Sequence, residues 1–229
     1  MARFTCSTPD QPWLREVVVA CKPLQDQISQ LPVVMDALSL GRERRWLLEP
    51  RTQKTILEIG WGIIKIFPDC LEMMQSKAIP GSDLDEFLRA NRETEETHWR
   101  AWRVMANEVG LFEDNFLSHR MTPAMAGLSD FLLYVSSRGS LPAAVSALNF
   151  TIETMAARLT RMIAPVLQPH FSERGGWWLE VHKRGDIPHA RDARELLKQL
   201  AEDPAARKDV MDVAIITHEL FLSALDAAY

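Results

Sequence analysis

Residues 83–109 read DLDEFLRANRETEETHWRAWRVMANEV. Taken by threes and fours, Leu84, Leu88, Asn91, Glu95, His98, Trp102, Met105 and Val109 share one face of a helix. Ser82 stands just ahead as an N-cap, and Asp83, Asp85 and Glu86 fill the first turn, where the helix dipole favours acids. A long helix with a single apolar stripe has to bury that stripe against other helices. The ends of this stripe are apolar, but its middle holds Glu95 and His98, one turn apart. A carboxylate on a core-facing stripe is costly unless it is paired or bound to a metal. The pair is therefore a Glu–His hydrogen bond in a core, a stripe that drifts to the surface, or part of a metal site.

Outward from this helix the same period dominates, and strand-like alternation is nearly absent. Pro and Gly punctuate the chain into segments of helical length, predicted at 12–21, 24–39, 52–77, 83–109, 123–137, 142–167, 174–184, 187–202 and 205–227. No linker, repeat or low-complexity tract divides residues 1–229, so the expectation is an all-α helical bundle in a single domain.

Two further stripes carry polar residues. In the region 174–202, Trp178, His182, Asp186, His189, Ala193, Leu196 and Leu200 follow a helical path, so His182, Asp186 and His189 point the same way. Imidazole nitrogen with carboxylate oxygen suits Fe, Mn or Zn. The same residues, next to Lys183 and Arg184, would also make an ordinary solvated face. Gly185 and Pro188 weigh against an unbroken helix, and Asp186 would serve as an N-cap. In 142–167, Glu153 borders a core stripe of Val145, Leu148, Ile152, Met155, Leu159, Met162 and Val166, beside Asn149 and Ala156. A single Glu on a helix is ordinarily a surface residue. Together, however, a Glu and a Glu-x-x-His from separate helices make up the pattern by which bundles hold two metals.

The chain has 47% hydrophobic and 25% charged residues and a net charge of −5, values of a globular protein with enough apolar material for a core. Lys and Arg are scattered, which disfavours nucleic acid. The cysteines Cys6, Cys21 and Cys70 are odd in number and form no CxxC pair, so they are read as reduced thiols. The N-terminus, MARFTCSTPDQPW, is too polar for a signal peptide, and no run is long enough for a membrane span. The expectation is a cytoplasmic protein without membrane insertion.

Three stretches carry a resemblance: Glu95-Glu96-Thr97-His98 with Trp102 behind it, Asn149-Phe150-Thr151-Ile152-Glu153, and Trp178-Leu179-Glu180-Val181-His182 continuing to Asp186 and His189. With Ile59-Gly60-Trp61 and the closing helix, they resemble the heme-oxygenase-like diiron oxidases, relatives of the TenA and PqqC scaffold. Within that group the chain is similar to UndA-type fatty-acid decarboxylases and CADD-like proteins. The resemblance implies a heme-oxygenase-like fold and iron ligands Glu95, His98, Glu153, His182, Asp186 and His189. It implies a pair of Fe(II) ions, with Mn as the other metal this set accepts, O2 as co-substrate and an external electron donor. The implied reaction is oxidative decarboxylation, carbon–carbon cleavage or desaturation of a small carboxylic or amino acid. N-oxygenation of an amino-acid-derived amine in natural-product biosynthesis is the alternative, and a metal-free helical binding protein a third. A homodimer is compatible with it. Many relatives carry a Glu seven residues before the His, where this chain has Asn91. Lys65 stands where the UndA-type branch has a further carboxylate, or else on a helix surface. TenA-type chemistry relies on an active Cys that none of the three cysteines matches. Trp61, Lys65, Trp102 and Arg158 are the candidate substrate-binding residues, with Trp99, Phe150 and Met155 as further pocket walls and Arg100, Arg103 and Arg161 as further partners for a substrate carboxylate.

Overall fold

The computed structural model describes residues 11–229, apart from the side chains of residues 184–190. Eleven α-helices make up the described chain, and it contains no strand. In chain order they are α1 (Pro12–Gln27), α2 (Pro32–Leu40), α3 (Pro50–Ile59), α4 (Phe67–Gln75), α5 (Asp83–Glu108), α6 (Glu113–Ser118), α7 (Pro123–Arg138), α8 (Leu141–Val145), α9 (Glu153–Leu167), α10 (Trp177–Leu200) and α11 (Pro204–Ala228). Two π-helical turns interrupt longer runs, Gly60–Ile64 between α3 and α4 and Ser146–Ile152 between α8 and α9.

Local chemistry explains most boundaries. Ser82 caps α5 by accepting from the Asp85 N–H at 3.2 Å, as its position predicts. Thr122 and Asp203 cap α7 and α11 in the same way, each followed by Pro at the first helical position. The predicted helix 24–39 does not form as one element. Pro32 drives Leu31 into extended backbone, and the chain turns there. The predicted break at Pro23 is also absent, because α1 runs through it. The ladder bond that Pro23 forgoes would have reached back to Val19, which is 70% exposed and open to water. The single predicted helix 52–77 is split by the first π turn and by Pro68. The two predicted segments 174–184 and 187–202 are one element, α10. The short α6 was not anticipated; the Asn115 side chain closes its first turn by accepting from the Phe112 N–H at 2.8 Å.

Helices α10 on α9, α4 on α5 and α11 on α7 and α1 form the main packing layers. The buried apolar residues fall into two clusters. One is built from α1, α4, α7, the α8–π segment, the C-terminal half of α10 and α11, and includes Leu88 of α5, Ile152 and Met155. The other gathers the end of α5 (Ala101, Trp102, Met105), the end of α9 (Ala164, Leu167), the start of α10 (Trp178, Leu179) and Trp46 and Leu47. Among the described residues no helix is long and apolar enough to cross a membrane.

Candidate metal centre and its two pockets

The polar residues of the three stripes occupy the seam between these clusters. On α5, Glu95 and His98 lie between Leu88 of the first cluster and Trp102 of the second. Glu153, the first residue of α9, lies among Ile152 and Met155 of the first cluster. On α10, His182 lies between Trp178–Leu179 and Ala193. All four are buried, His98 to 2% exposure. Two helices, α5 and α10, thus change from one apolar core to the other at the level where each carries an acid or an imidazole, and α9 adds a buried acid at its start.

The local geometry orients the two rings. His98 Nδ1 and Glu95 Oε2 are 3.0 Å apart. His182 Nδ1 is 2.8 Å from the Trp178 carbonyl. A carbonyl only accepts, so His182 Nδ1 carries a proton and Nε2 is the nitrogen left to face another group. The His98 and His182 rings are neighbours, with centroids 4.4 Å apart and planes tilted by 57°. His98 Nε2 is buried and has no hydrogen-bond partner among the described residues. A carboxylate holding one nitrogen of an imidazole while the other looks into a polar seam is the arrangement of metal-ligating histidines.

The fit to iron can be judged from these groups. Carboxylate oxygen and imidazole nitrogen are a suitable donor set for a first-row divalent metal, and a cation would answer the orphaned Nε2. Among the described residues, no three His, Cys, Asp or Glu side chains converge closely enough to hold a metal ion. Asp186 and His189, two of the six predicted ligands, fall within α10, but their side chains lie outside the described residues. The structure pairs Glu95 with His98 and sets the His98 ring beside that of His182, and it buries Glu153 on α9, the helix against which α10 packs.

Glu153 owes its inward position to the π turn ahead of it. All seven residues of Ser146–Ile152 are buried, so no face of that turn meets water. The wider turn rotates the register of α9 and carries Glu153 inward. Two buried amides accompany these acids: Asn91, one turn before Glu95, and Asn149, one turn before Glu153. Both have neither side-chain atom hydrogen-bonded.

The tryptophans at the start of α10 divide two pockets. Trp178 stacks on His182 at 3.9 Å between centroids and meets Trp102 edge-on at 4.6 Å. Behind them lies an apolar cavity of about 80 Å³, also lined by Trp46, Ile56, Leu159 and Ile163. One water needs roughly 10–15 Å³ of such space, so the cavity has room for several, although its lining is almost wholly apolar. The buried Thr52 and Thr160 hydroxyls and the Trp178 Nε1–H belong to this lining and lack hydrogen-bond partners. On the other side, Trp177 lies 6.1 Å from the His98 ring and borders an open pocket between α5 and the α9–α10 loop.

The other predicted site residues are distributed unevenly. Trp102 lines the apolar cavity and donates from Nε1 to the Ile56 carbonyl at 3.2 Å. Trp61 packs with Trp99 and Phe116 in a separate aromatic group. Phe150 and Met155 are plain core. Lys65 is not directed at the seam: it is exposed, with Nζ 4.0 Å above the Trp61 ring. Arg158 is not directed there either, because it is bound to Asp26 Oδ1 at 2.6 Å. The buried carboxylate of α3 is Glu58, at 0% exposure, which sequence reasoning missed. It accepts from the Thr122 N–H at 2.8 Å and lies 2.9 Å from His119 Nε2, so it anchors the start of α7. Its only sequence signal was a Glu on a helix, which is weak. Burial pushes the Cys21 thiol up to about 11 and that of Cys70 to about 12, which keeps both protonated and unreactive. Cys6 lies outside the described residues.

Comparison with known proteins places the fold and the family. Residues 85–220 match a family model described as an iron-containing redox enzyme. The fold is similar to a TenA homolog from Pseudomonas syringae pv. tomato, with a TM-score of 0.84, 17% identity, and coverage of 100% of this chain and 97% of that one. It is similar to a TenA homologue from Pyrococcus furiosus, with a TM-score of 0.77, 14% identity, and coverage of 95% and 100%. A domain of unknown function with a heme oxygenase-like fold from Shewanella denitrificans gives a TM-score of 0.75, 16% identity, and coverage of 96% and 93%. No curated protein sequence matches the chain significantly. These structures are too distant in sequence to speak for more than the fold, but the family model spans α5 to α11 and all six predicted ligand positions, so the chain belongs to the heme-oxygenase-like family of iron-containing redox enzymes.

Proposed function

We propose that the protein is a non-heme diiron, O2-dependent oxidase that acts on a small carboxylic or amino acid. The observation that carries this reading is the polar seam. Helices α5 and α10 each place buried acids or imidazoles where two apolar cores meet, with the His98 and His182 ring centroids 4.4 Å apart, and α9 buries Glu153. A helical binding protein without metal would have no reason to keep an orphaned imidazole nitrogen in its interior.

Glu95, His98, Glu153, His182, Asp186 and His189 would hold the metals. When bound, ferrous iron supplies the activation of O2 that oxidation of an unreactive carbon or amine requires. The chain supplies the rest. Glu95 holds His98 at Nδ1, and the Trp178 carbonyl holds the His182 proton at Nδ1. Trp102 and Trp178 form a dry wall beside His182, with an apolar cavity behind it that suits the hydrocarbon part of an organic acid. The protonated Cys21 and Cys70 offer no nucleophile, so a reaction through either thiolate is not favoured.

Anaerobic titration with ferrous iron tests the proposal. The expected result is uptake of a pair of ions per chain, reduced in His182→Ala and Glu153→Ala, with O2 consumption stimulated by one of a panel of carboxylic and amino acids. Uptake no greater than background, or uptake untouched by both substitutions, would overturn it. The products then separate loss of carbon dioxide from N-oxygenation.

A further inference from the structure

The open pocket in front of Trp177 measures about 680 Å³, a size that suits a small molecule. Thr97, Arg100 and Val104 of α5 form one wall, and Ser172, Arg174 and Trp177 the other. Arg100 and Arg174 are exposed, and neither has an ion-pair partner among the described residues. Arg103, one turn from Arg100's face, is by contrast committed to Glu113. The pocket holds one carboxylate, Glu173.

The loop wall is held in place by groups outside the pocket. The Glu108 carboxylate, at the end of α5, accepts from the Ser172 N–H at 2.9 Å and from its hydroxyl. Arg44 donates to the Glu108 carbonyl at 2.9 Å and to the His170 carbonyl at 2.7 Å. Gly175 lies so close to Glu108 that a Cβ there would sit 2.3 Å from Oε1. The loop is thus tied to α5 while Arg174 at its tip is left uncommitted. Beside it, α10 begins at Trp177 with no side-chain cap on Gly176, so the positive end of a long helix opens at the same place. Trp177 is 42% exposed, which leaves an indole face for an apolar or aromatic group.

We propose that Arg100, Arg174 and Trp177 form a recognition site for the carboxylate of a small organic acid, in the pocket between α5 and the α9–α10 loop, where Trp177 stands between it and His98. Two guanidinium groups on a pre-organised frame bind a carboxylate more strongly than the same groups on a mobile loop. The importance of the site for catalysis rests on the reading of His98 and His182 as the reaction centre; the binding itself does not. A carboxylate held here leaves the other end of the molecule to approach the imidazoles past Trp177.

Calorimetry with 3-phenylpropionate and hexanoate tests this, on the chain with and without ferrous iron. The matched amides and inorganic phosphate serve as controls. The carboxylates are expected to bind and the amides not. Arg100→Gln and Arg174→Gln are each expected to weaken binding about tenfold, and Glu173→Gln to tighten it. All three positions are exposed, so the fold is not at risk. Amides that bind as well as acids, phosphate that binds as well through the same arginines, acids that do not bind at all, or binding unchanged in both Arg variants would each overturn the proposal. Lost binding with normal iron uptake condemns the pocket alone; Arg-dependent binding without iron uptake condemns the diiron reading alone.

Discussion

A charged or imidazole side chain withdrawn from water needs an answering group, and the answers separate the candidate residues of this chain. His98 has one nitrogen against Glu95 and the other without a hydrogen-bond partner among the described residues, which leaves that nitrogen open to a further ligand. Arg158 is the opposite case. Its guanidinium is already matched to Asp26, whose carboxyl is held below its ordinary range, first by the hydrogen bond from Lys22 and then, despite some desolvation, by the charges of Lys22 and Arg158. Arg158→Ala is therefore expected to leave iron uptake and substrate oxidation unchanged. Because the pair is largely solvated, the urea denaturation midpoint should hardly move. A large loss of activity would return Arg158 to the site.

At the scale of elements, the two π turns decide which side chains reach the interior. The turn Gly60–Ile64 brings the backbone of Gly60 against the Trp102 indole. A Cβ at Gly60 would lie 2.3 Å from Trp102 Nε1 and 3.0 Å from the Phe116 ring. Trp102 has little room to retreat, because it is wedged against Trp178 and bonded to the Ile56 carbonyl. Gly60→Ala is expected to destabilise the fold by about 1–3 kcal/mol, through overpacking. Displacement of Trp102 should also pass through Trp178 to His182 and lower iron affinity. Unchanged denaturation midpoint and iron uptake would show that the aromatic stack yields without consequence.

For the whole molecule, the α1–α11 interface contains a buried titratable group remote from the seam. His218 is fully buried; its Nδ1 donates to the Ala214 carbonyl at 2.7 Å, and its Nε2 lies 3.2 Å from Gln25 Nε2. Burial pushes its pKa below the ordinary value; the Ala214 carbonyl opposes this, and the Arg158 charge adds to the lowering. The folded state thus binds a proton less readily than the unfolded chain, whose His titrates near about 6.5. Stability is fully present above that value and falls as the pH drops from there toward the folded pKa, because the unfolded chain takes up the proton first. Thermal melts between about pH 7 and 5 should show this decline, and His218→Gln should flatten it. An equal decline in the variant would assign it to other groups.

The helical class, the cap of α5 and the Glu95–His98 pair were legible in the sequence because they depend on spacing within one helix, which 3.6 residues per turn fixes locally. The resemblance carried by three motifs also pointed to the heme-oxygenase-like fold. Other features were settled only by the assembled molecule. The π turns depend on packing from both sides, not on a composition that marks them. Continuity of α1 through Pro23 depended on Val19 facing water, and burial of Glu58 on a distant His119 and Thr122. The two pockets, and the exposure of Arg100 and Arg174 against the commitment of Arg158, arise where separate helices meet. Periodicity assigns a residue to a face of its own helix; what that face meets depends on contacts between residues far apart in the chain, and only the tertiary structure specifies them.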